Sequence, residues 1–234
     1  STLSPSSAAS DVYKRQDIDG DNDTDILIGV RDDAVWLENN GSNFINHSSF
    51  YRGGSDCFYR LYLDDLDSDG DNDFVIGRSI KSLTWFENNG TGNFTRHIFY
   101  NLSDDEYFVT NAIADMDNDG DTDIVILTEN DTYGYIKVFQ NDGTGNFTFQ
   151  SLYMYSHTSD VNVSPFGLAI ADLDEDNCMD VIISDVNENF VKWYKNNCFG
   201  GLSYGGTIDT LEWATIVYGA DLNNDNKNDV IVYD

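Results

Sequence analysis

Asp65-Leu66-Asp67-Ser68-Asp69-Gly70-Asp71-Asn72-Asp73, followed at once by Phe74-Val75-Ile76, is the stretch from which the rest of the chain can be read. Its nine-residue acidic pattern occurs five times, starting at Asp17, Asp65, Asp115, Asp172 and Asp221, at intervals of 48, 50, 57 and 49 residues. Carboxylates fall at loop positions 1, 3, 5 and 9, and acids so close together repel one another unless a cation sits among them. Calcium suits this spacing, because it takes about six to eight oxygen ligands and accepts carboxylates, carbonyls and water together, whereas magnesium demands stricter octahedral geometry.

The side chains at positions 1, 3, 5 and 9 are the expected ligands, with the backbone carbonyl of position 7 completing the wrap. The first loop supplies Asp17, Asp19, Asp21 and Asp25, with Asp23 at position 7. The second supplies Asp65, Asp67, Asp69 and Asp73, with Asp71, and the third Asp115, Asp117, Asp119 and Asp123, with Asp121. In the fourth, Asp172, Asp174, Asp176 and Asp180 form an intact set around Cys178. The fifth keeps Asp221, Asp225 and Asp229 but has Asn223 at position 3 and Lys227 at position 7, so it is expected to bind most weakly. At position 6 stand Gly70, Gly120, Asn22, Asn177 and Asn226, residue types that accept left-handed backbone angles. Up to five calcium ions, one per loop, are expected.

An EF-hand opens with the same acidic spacing but ends on a bidentate Glu at position 12 and runs into a helix. Here position 12 is Ile28, Ile76, Ile126, Ile183 or Val232, and β-branched runs such as Asp123-Ile124-Val125-Ile126-Leu127 follow, which places the loops between strands. A second landmark recurs in each period: Trp36-Leu37-Glu38-Asn39-Asn40-Gly41, Trp85-Phe86-Glu87-Asn88-Asn89-Gly90, Val138-Phe139-Gln140-Asn141-Asp142-Gly143 and Trp193-Tyr194-Lys195-Asn196-Asn197-Cys198. Asn-Gly or Asp-Gly after a strand signals a hairpin turn, and an aromatic strand follows at Phe44, Phe94 and Phe147. Each period therefore reads as strand a, the acidic loop, strand b, strand c, a turn and strand d. In the third these fall near 107–114, 124–128, 134–140 and 146–153. Four short strands every fifty residues or so is the pattern of a β-propeller blade, which stacks its apolar face on the next. The Trp and Phe of strands c and d are expected to serve that packing. A parallel β-helix is disfavoured because its repeats are much shorter.

The acidic loop, the Val/Ile strand and the Trp85 to Phe94 stretch together resemble the FG-GAP or VCBS repeats of integrin-α-like propellers, over roughly 17–234. The resemblance implies a seven- or eight-bladed propeller, calcium on the loops between strands a and b, and display outside the cell. It implies a role in adhesion, in carbohydrate binding, or as an ancillary part of a secreted enzyme. The expected fold is all-β: a propeller fragment of four-stranded antiparallel blades, about three complete and two partial, at 17–50, 57–100, 107–153, 165–205 and 214–234. The first loop has no recognisable strand a before it. Ser1–Gln16 reads as translated sequencing adapter and is set aside as a non-native segment. Val230–Asp234 stops after strand b.

With Lys plus Arg at 12 against 42 for Asp plus Glu, the formal charge is −30, and 19 of the acids stand at the proposed side-chain ligand positions. Such a surface argues against nucleic acid or an anionic membrane as partner. No apolar run is long enough to span a bilayer. An unidentified extracellular protein or glycan is the expected partner. Contacts are expected from the b–c and d–a connections, which vary from Arg31–Asp33 to Tyr155–Ser164. No nucleophile elbow, His-Glu-x-x-His, phosphate loop or Cys-His pairing is present. The dense carboxylates suit calcium better than a glycosidase acid and base, which need one acid in an apolar, raised-pKa setting. No catalytic role is expected; the alternative is an ancillary propeller of a polysaccharide-degrading enzyme whose catalytic residues lie elsewhere. His47 and His97 occupy equivalent places in separate blades, which disfavours a histidine metal site. Cys178 stands where three other loops have Asp, and Cys198 where three other hairpins have Gly. The a–b loop and the c–d turn emerge at one end of an up-and-down sheet, so these two cysteines can be bridged.

Overall fold

The structure, a computed structural model, describes residues 13–30, 33–48, 61–76, 81–156, 167–186, 188–211 and 214–233. Every regular element among them is a strand. The first sheet consists of β1 (Tyr13–Gln16), β2 (Asp25–Val30), β3 (Asp33–Asn39) and β4 (Phe44–Ser48). The second is β5 (Leu61–Asp64), β6 (Asp73–Ile76), β7 (Ser82–Asn88) and β8 (Phe94–Asn101), and the third β9 (Tyr107–Ala114), β10 (Asp123–Glu129), β11 (Tyr133–Asn141) and β12 (Phe147–Ser156). The fourth comprises β13 (Gly167–Ala171), β14 (Asp180–Asp185), β15 (Phe190–Asn196) and β16 (Leu202–Asp209), while β17 (Ile216–Ala220) and β18 (Asp229–Tyr233) form a pair. Neighbours in sequence are neighbours in each sheet, the up-and-down order of a propeller blade.

One expectation is corrected at the N-terminal end. Strand a of the first blade exists: β1 pairs antiparallel with β2, Gln16 opposite Asp25 and Tyr13 opposite Ile28. Tyr-Lys-Arg-Gln carries no apolar alternation to announce a strand, but ladder hydrogen bonds need only the backbone. Residues 1–12 of the segment set aside lie outside the described residues.

The described residues divide into two compact units. In the unit spanning Ser10–Asp104, blades one and two share a core of Ile18, Leu27, Ala34, Trp36, Leu61, Phe74 and Phe86, with Phe94 against it. Trp36 owes its place to a glycine: Gly92, at φ +69, leaves room where a Cβ would meet the indole at 2.2 Å. In the unit of Asp105–Asp142 and Phe147–Asp234, Ala169, Ala171, Ile182, Val191, Ala214 and Val217 join blades four and five, with Trp193 packed on them. Strand-c tryptophans therefore serve packing, as expected. The same polar stitch recurs in both units: the side-chain amide of the Asn ending strand c donates to the position-2 carbonyl of the preceding loop. Asn88 Nδ2 reaches Ile18 at 2.8 Å and Asn196 Nδ2 reaches Met116 at 2.7 Å.

Candidate metal centres

Each acidic loop folds on its own carboxylates. The position-1 side chain accepts backbone N–H bonds from the turn it starts: Asp65 from Asp69 and Gly70, Asp172 from Asp176 and Asn177, and Asp221 from Asp225 and Asn226. Position 5 accepts from the N–H of position 7 in all five loops, at 2.8 to 3.0 Å, an Asx-type turn. Position 6 is left-handed, as the sequence implies: Asn22, Gly70, Gly120, Asn177 and Asn226 have φ between 65° and 98°. Position 4 is left-handed too, with Gly20 at φ 78° and Ser68, Asn118, Glu175 and Asn224 at φ 60° to 64°, which the residue type did not announce for Ser68 and Glu175.

Position 9 anchors the loop. Asp25, Asp73, Asp123 and Asp180 have no exposed surface. One oxygen of each accepts from the backbone N–H of position 2, for instance Leu66 to Asp73 at 2.9 Å and Met116 to Asp123 at 2.8 Å. The other accepts from the N–H of the Asn ending strand c, as Asn88 to Asp73 at 2.7 Å and Asn141 to Asp123 at 2.8 Å. Burial pushes the Asp73 and Asp123 carboxyls up to about 7, and Asp180 to about 6, with the acids at positions 3 and 5 adding to the rise. The density of the carboxylates was expected to disfavour an acid in a raised-pKa setting. Burial supplies one in each of these loops, but with both oxygens bonded to backbone N–H groups.

Of the four side chains expected as ligands, positions 1, 3 and 9 converge. Asp17, Asp19 and Asp25, then Asp65, Asp67 and Asp73, then Asp115, Asp117 and Asp123, then Asp172, Asp174 and Asp180 each bring one oxygen within 4.8 Å of the others. The position-5 acids, Asp21, Asp69, Asp119 and Asp176, stay outside these groups and are exposed. The charge is nevertheless shared: desolvation first, then the neighbouring acid at position 5, raises Asp19, Asp67 and Asp117. Asp67 Oδ1 in the second loop, and Asp115 Oδ1 and Asp117 Oδ1 in the third, are buried and accept no hydrogen bond. Orphaned carboxylate oxygens beside other acids are what a hard dication satisfies, so these loops fit calcium.

The two C-terminal loops differ. Lys195 Nζ, from strand c, bonds Asp174 and lies 2.7 Å from Asp176. Lys227 of the fifth loop pairs with Glu175 of the fourth. Cys178 and Cys198 are joined by a disulfide, with Cα atoms 5.1 Å apart, so their sulfurs are not free to ligate beside Asp176. The other blades show why the geometry permits this bond. A Cβ on Gly41 would meet Asp23 Oδ2 at 3.0 Å, and one on Gly90 would meet Asp71 Oδ2 at 2.3 Å, so in both of these blades position 7 faces that turn residue. Cys198 takes the glycine's left-handed conformation, at φ 63°. Replacing the pair, as Cys178→Ala with Cys198→Gly, is expected to cost about 2–4 kcal/mol in urea unfolding at fixed calcium. An unchanged midpoint under oxidising conditions would rule out that contribution.

His47 and His97 enter none of the acidic clusters among the described residues. His47 stacks on Trp36 at 4.2 Å and bonds Glu38 at 2.6 Å, and His97 stacks on Trp85 at 4.6 Å and bonds Glu87 at 2.6 Å.

The sequence profile of FG-GAP-like repeats matches residues 65–126 and 115–183, together half of the chain. The chain belongs to the FG-GAP-like repeat family. No curated protein matches it. Among solved structures, it is similar to an Agrocybe aegerita lectin described as recognising non-reducing terminal N-acetylglucosamine, with TM-score 0.54 and 20% identity over 85% of this chain and 52% of that one. It is also similar to the exotype rhamnogalacturonan lyase YesX, with TM-score 0.55 and 14% identity over 97% of this chain and 45% of that one. This FG-GAP-like chain spans about half the length of each. At these identities the likeness is one of fold.

Proposed function

We propose that this chain is a calcium-stabilised, extracellular propeller module with a binding role, carbohydrate being the favoured ligand class, and that it is not itself a catalyst. The observation that carries the calcium reading is the convergence of positions 1, 3 and 9, with orphaned, buried carboxylate oxygens in the second and third loops. In those loops Asp65, Asp67 and Asp73, and Asp115, Asp117 and Asp123, would hold the ion. The disulfide and the need for roughly millimolar calcium both fit an extracellular setting. The carbohydrate reading draws support from the shared fold, which in one solved neighbour serves a lectin and in the other a rhamnogalacturonan lyase. The ligand surface is assigned to the b–c and d–a connections; of these, 31–32, 77–80, 187, 49–60, 157–166 and 212–213 lie outside the described residues.

A glycan array probed in calcium and in chelator tests this. Binding that needs calcium and is lost when the b–c and d–a loops are exchanged is the expected result; binding that survives every exchange refutes the surface. The second reading, an ancillary propeller of a polysaccharide-degrading protein, draws on the lyase neighbour. Release of cleaved product by this chain alone would overturn the non-catalytic assignment.

A further inference from the structure

The residue directly before the Asn that ends strand c is Glu38 in the first blade, Glu87 in the second, Gln140 in the third and Lys195 in the fourth. Glu38 and Glu87 bond His47 and His97 at 2.6 Å, whereas in the third and fourth blades this position reaches position 3 of its own loop. Gln140 Nε2 donates to Asp117 Oδ2 at 2.6 Å. Lys195 Nζ bonds Asp174 and Asp176 together. Going along the chain, this position carries a carboxylate, a carboxylate, an amide and an ammonium, on an otherwise repeated scaffold.

We propose that in the fourth loop the Lys195 ammonium stands in for calcium, so that the loop holds its fold without the metal, whereas the neutral Gln140 leaves the third loop to the ion. This rests on the calcium reading of the other loops. Two further observations support it. The buried, unbonded oxygens of the third loop, on Asp115 and Asp117, have no counterpart in the fourth, where Asp174 and Asp176 bond the ammonium instead. The fourth loop is also braced from outside, by the Cys178–Cys198 bond and by Lys227 on Glu175. A dication entering this loop must displace the ammonium from Asp174 and then sit beside it, a like-charge contact that the other loops lack.

Calcium stoichiometry, measured by equilibrium dialysis against radioactive calcium at fixed free concentration, tests the idea. Lys195→Gln, which copies the third blade, is expected to add one ion per chain by strengthening the fourth loop at least tenfold. Gln140→Lys should remove one. Asp174→Asn in the otherwise unchanged protein should leave the count as it was, an arm that does not depend on any Lys195 variant folding. Loss of an ion on Asp174→Asn, or no gain on Lys195→Gln in protein of unchanged near-ultraviolet circular dichroism, would overturn the proposal. Asp117→Asn separates the two levels: if it removes no ion, the calcium reading itself fails, whereas removal of one ion with either of the overturning results above confines the failure to Lys195.

Discussion

Excess chelator is expected to lower the thermal midpoint of this protein far below its value in ~10 mM calcium. Extracellular calcium modules bind at roughly 0.1–1 mM, so ~10 mM exceeds the dissociation constant about ten- to a hundredfold, and mass action then stabilises the folded form by about 1.4–2.7 kcal/mol per occupied loop. Loops one to three together would contribute about 4–8 kcal/mol, a large share of the ~5–15 kcal/mol that holds typical domains folded. The cause is local: within nine residues each loop collects acids whose repulsion is tolerable only when shared with a cation. Calorimetry with calcium and with chelator measures the difference, and identical midpoints would sink the calcium reading. Asp117→Ala should remove about a third of the calcium-dependent gain.

Asp123→Ala should behave differently, costing about 3–5 kcal/mol even with chelator present. Asp123 is completely buried, and its two oxygens accept from the N–H groups of Met116 and Asn141. Truncation strands two backbone donors away from water, each at about 1–3 kcal/mol, and leaves a small void as well. Asp123→Asn keeps one acceptor and should fall between alanine and wild type. Urea unfolding in chelator separates the roles: Asp117→Ala should be near neutral there, and Asp123→Ala should not. If the two variants were equally stable without metal, position 9 would be only a ligand and the anchoring role would be wrong.

Strand positions were legible wherever turn chemistry brackets them. In the third blade, strands expected near 107–114, 124–128, 134–140 and 146–153 lie at Tyr107–Ala114, Asp123–Glu129, Tyr133–Asn141 and Phe147–Ser156, because the acidic loop and the Asp142-Gly143 turn fix the ends. β1 was not legible, since Tyr13–Gln16 contributes backbone pairing without a hydrophobic pattern. The spacing of the acids suggested ligands but not the division of labour among them. That Asp73 also anchors the loop depends on the end of strand c, 15 residues away, presenting the Asn88 N–H. The charge of Lys195 was visible in the strand-c landmark, yet its meaning required knowing that this position faces Asp174.

The carbonyls of Ile18 and Met116 sit inside acidic loops, yet each receives its amide from the following blade, through Asn88 and Asn196. A loop that closes around an ion therefore also fixes the acceptor to which the next sheet is sewn. In a repeat array, stability is the sum of what each unit holds by itself and what each pair of neighbours shares. On the proposed calcium reading, the shared quantity comes under ionic control at these two joints and has a direction, from loop one to blade two and from loop three to blade four. Depleting calcium is then expected to loosen these joints before it unravels the sheets.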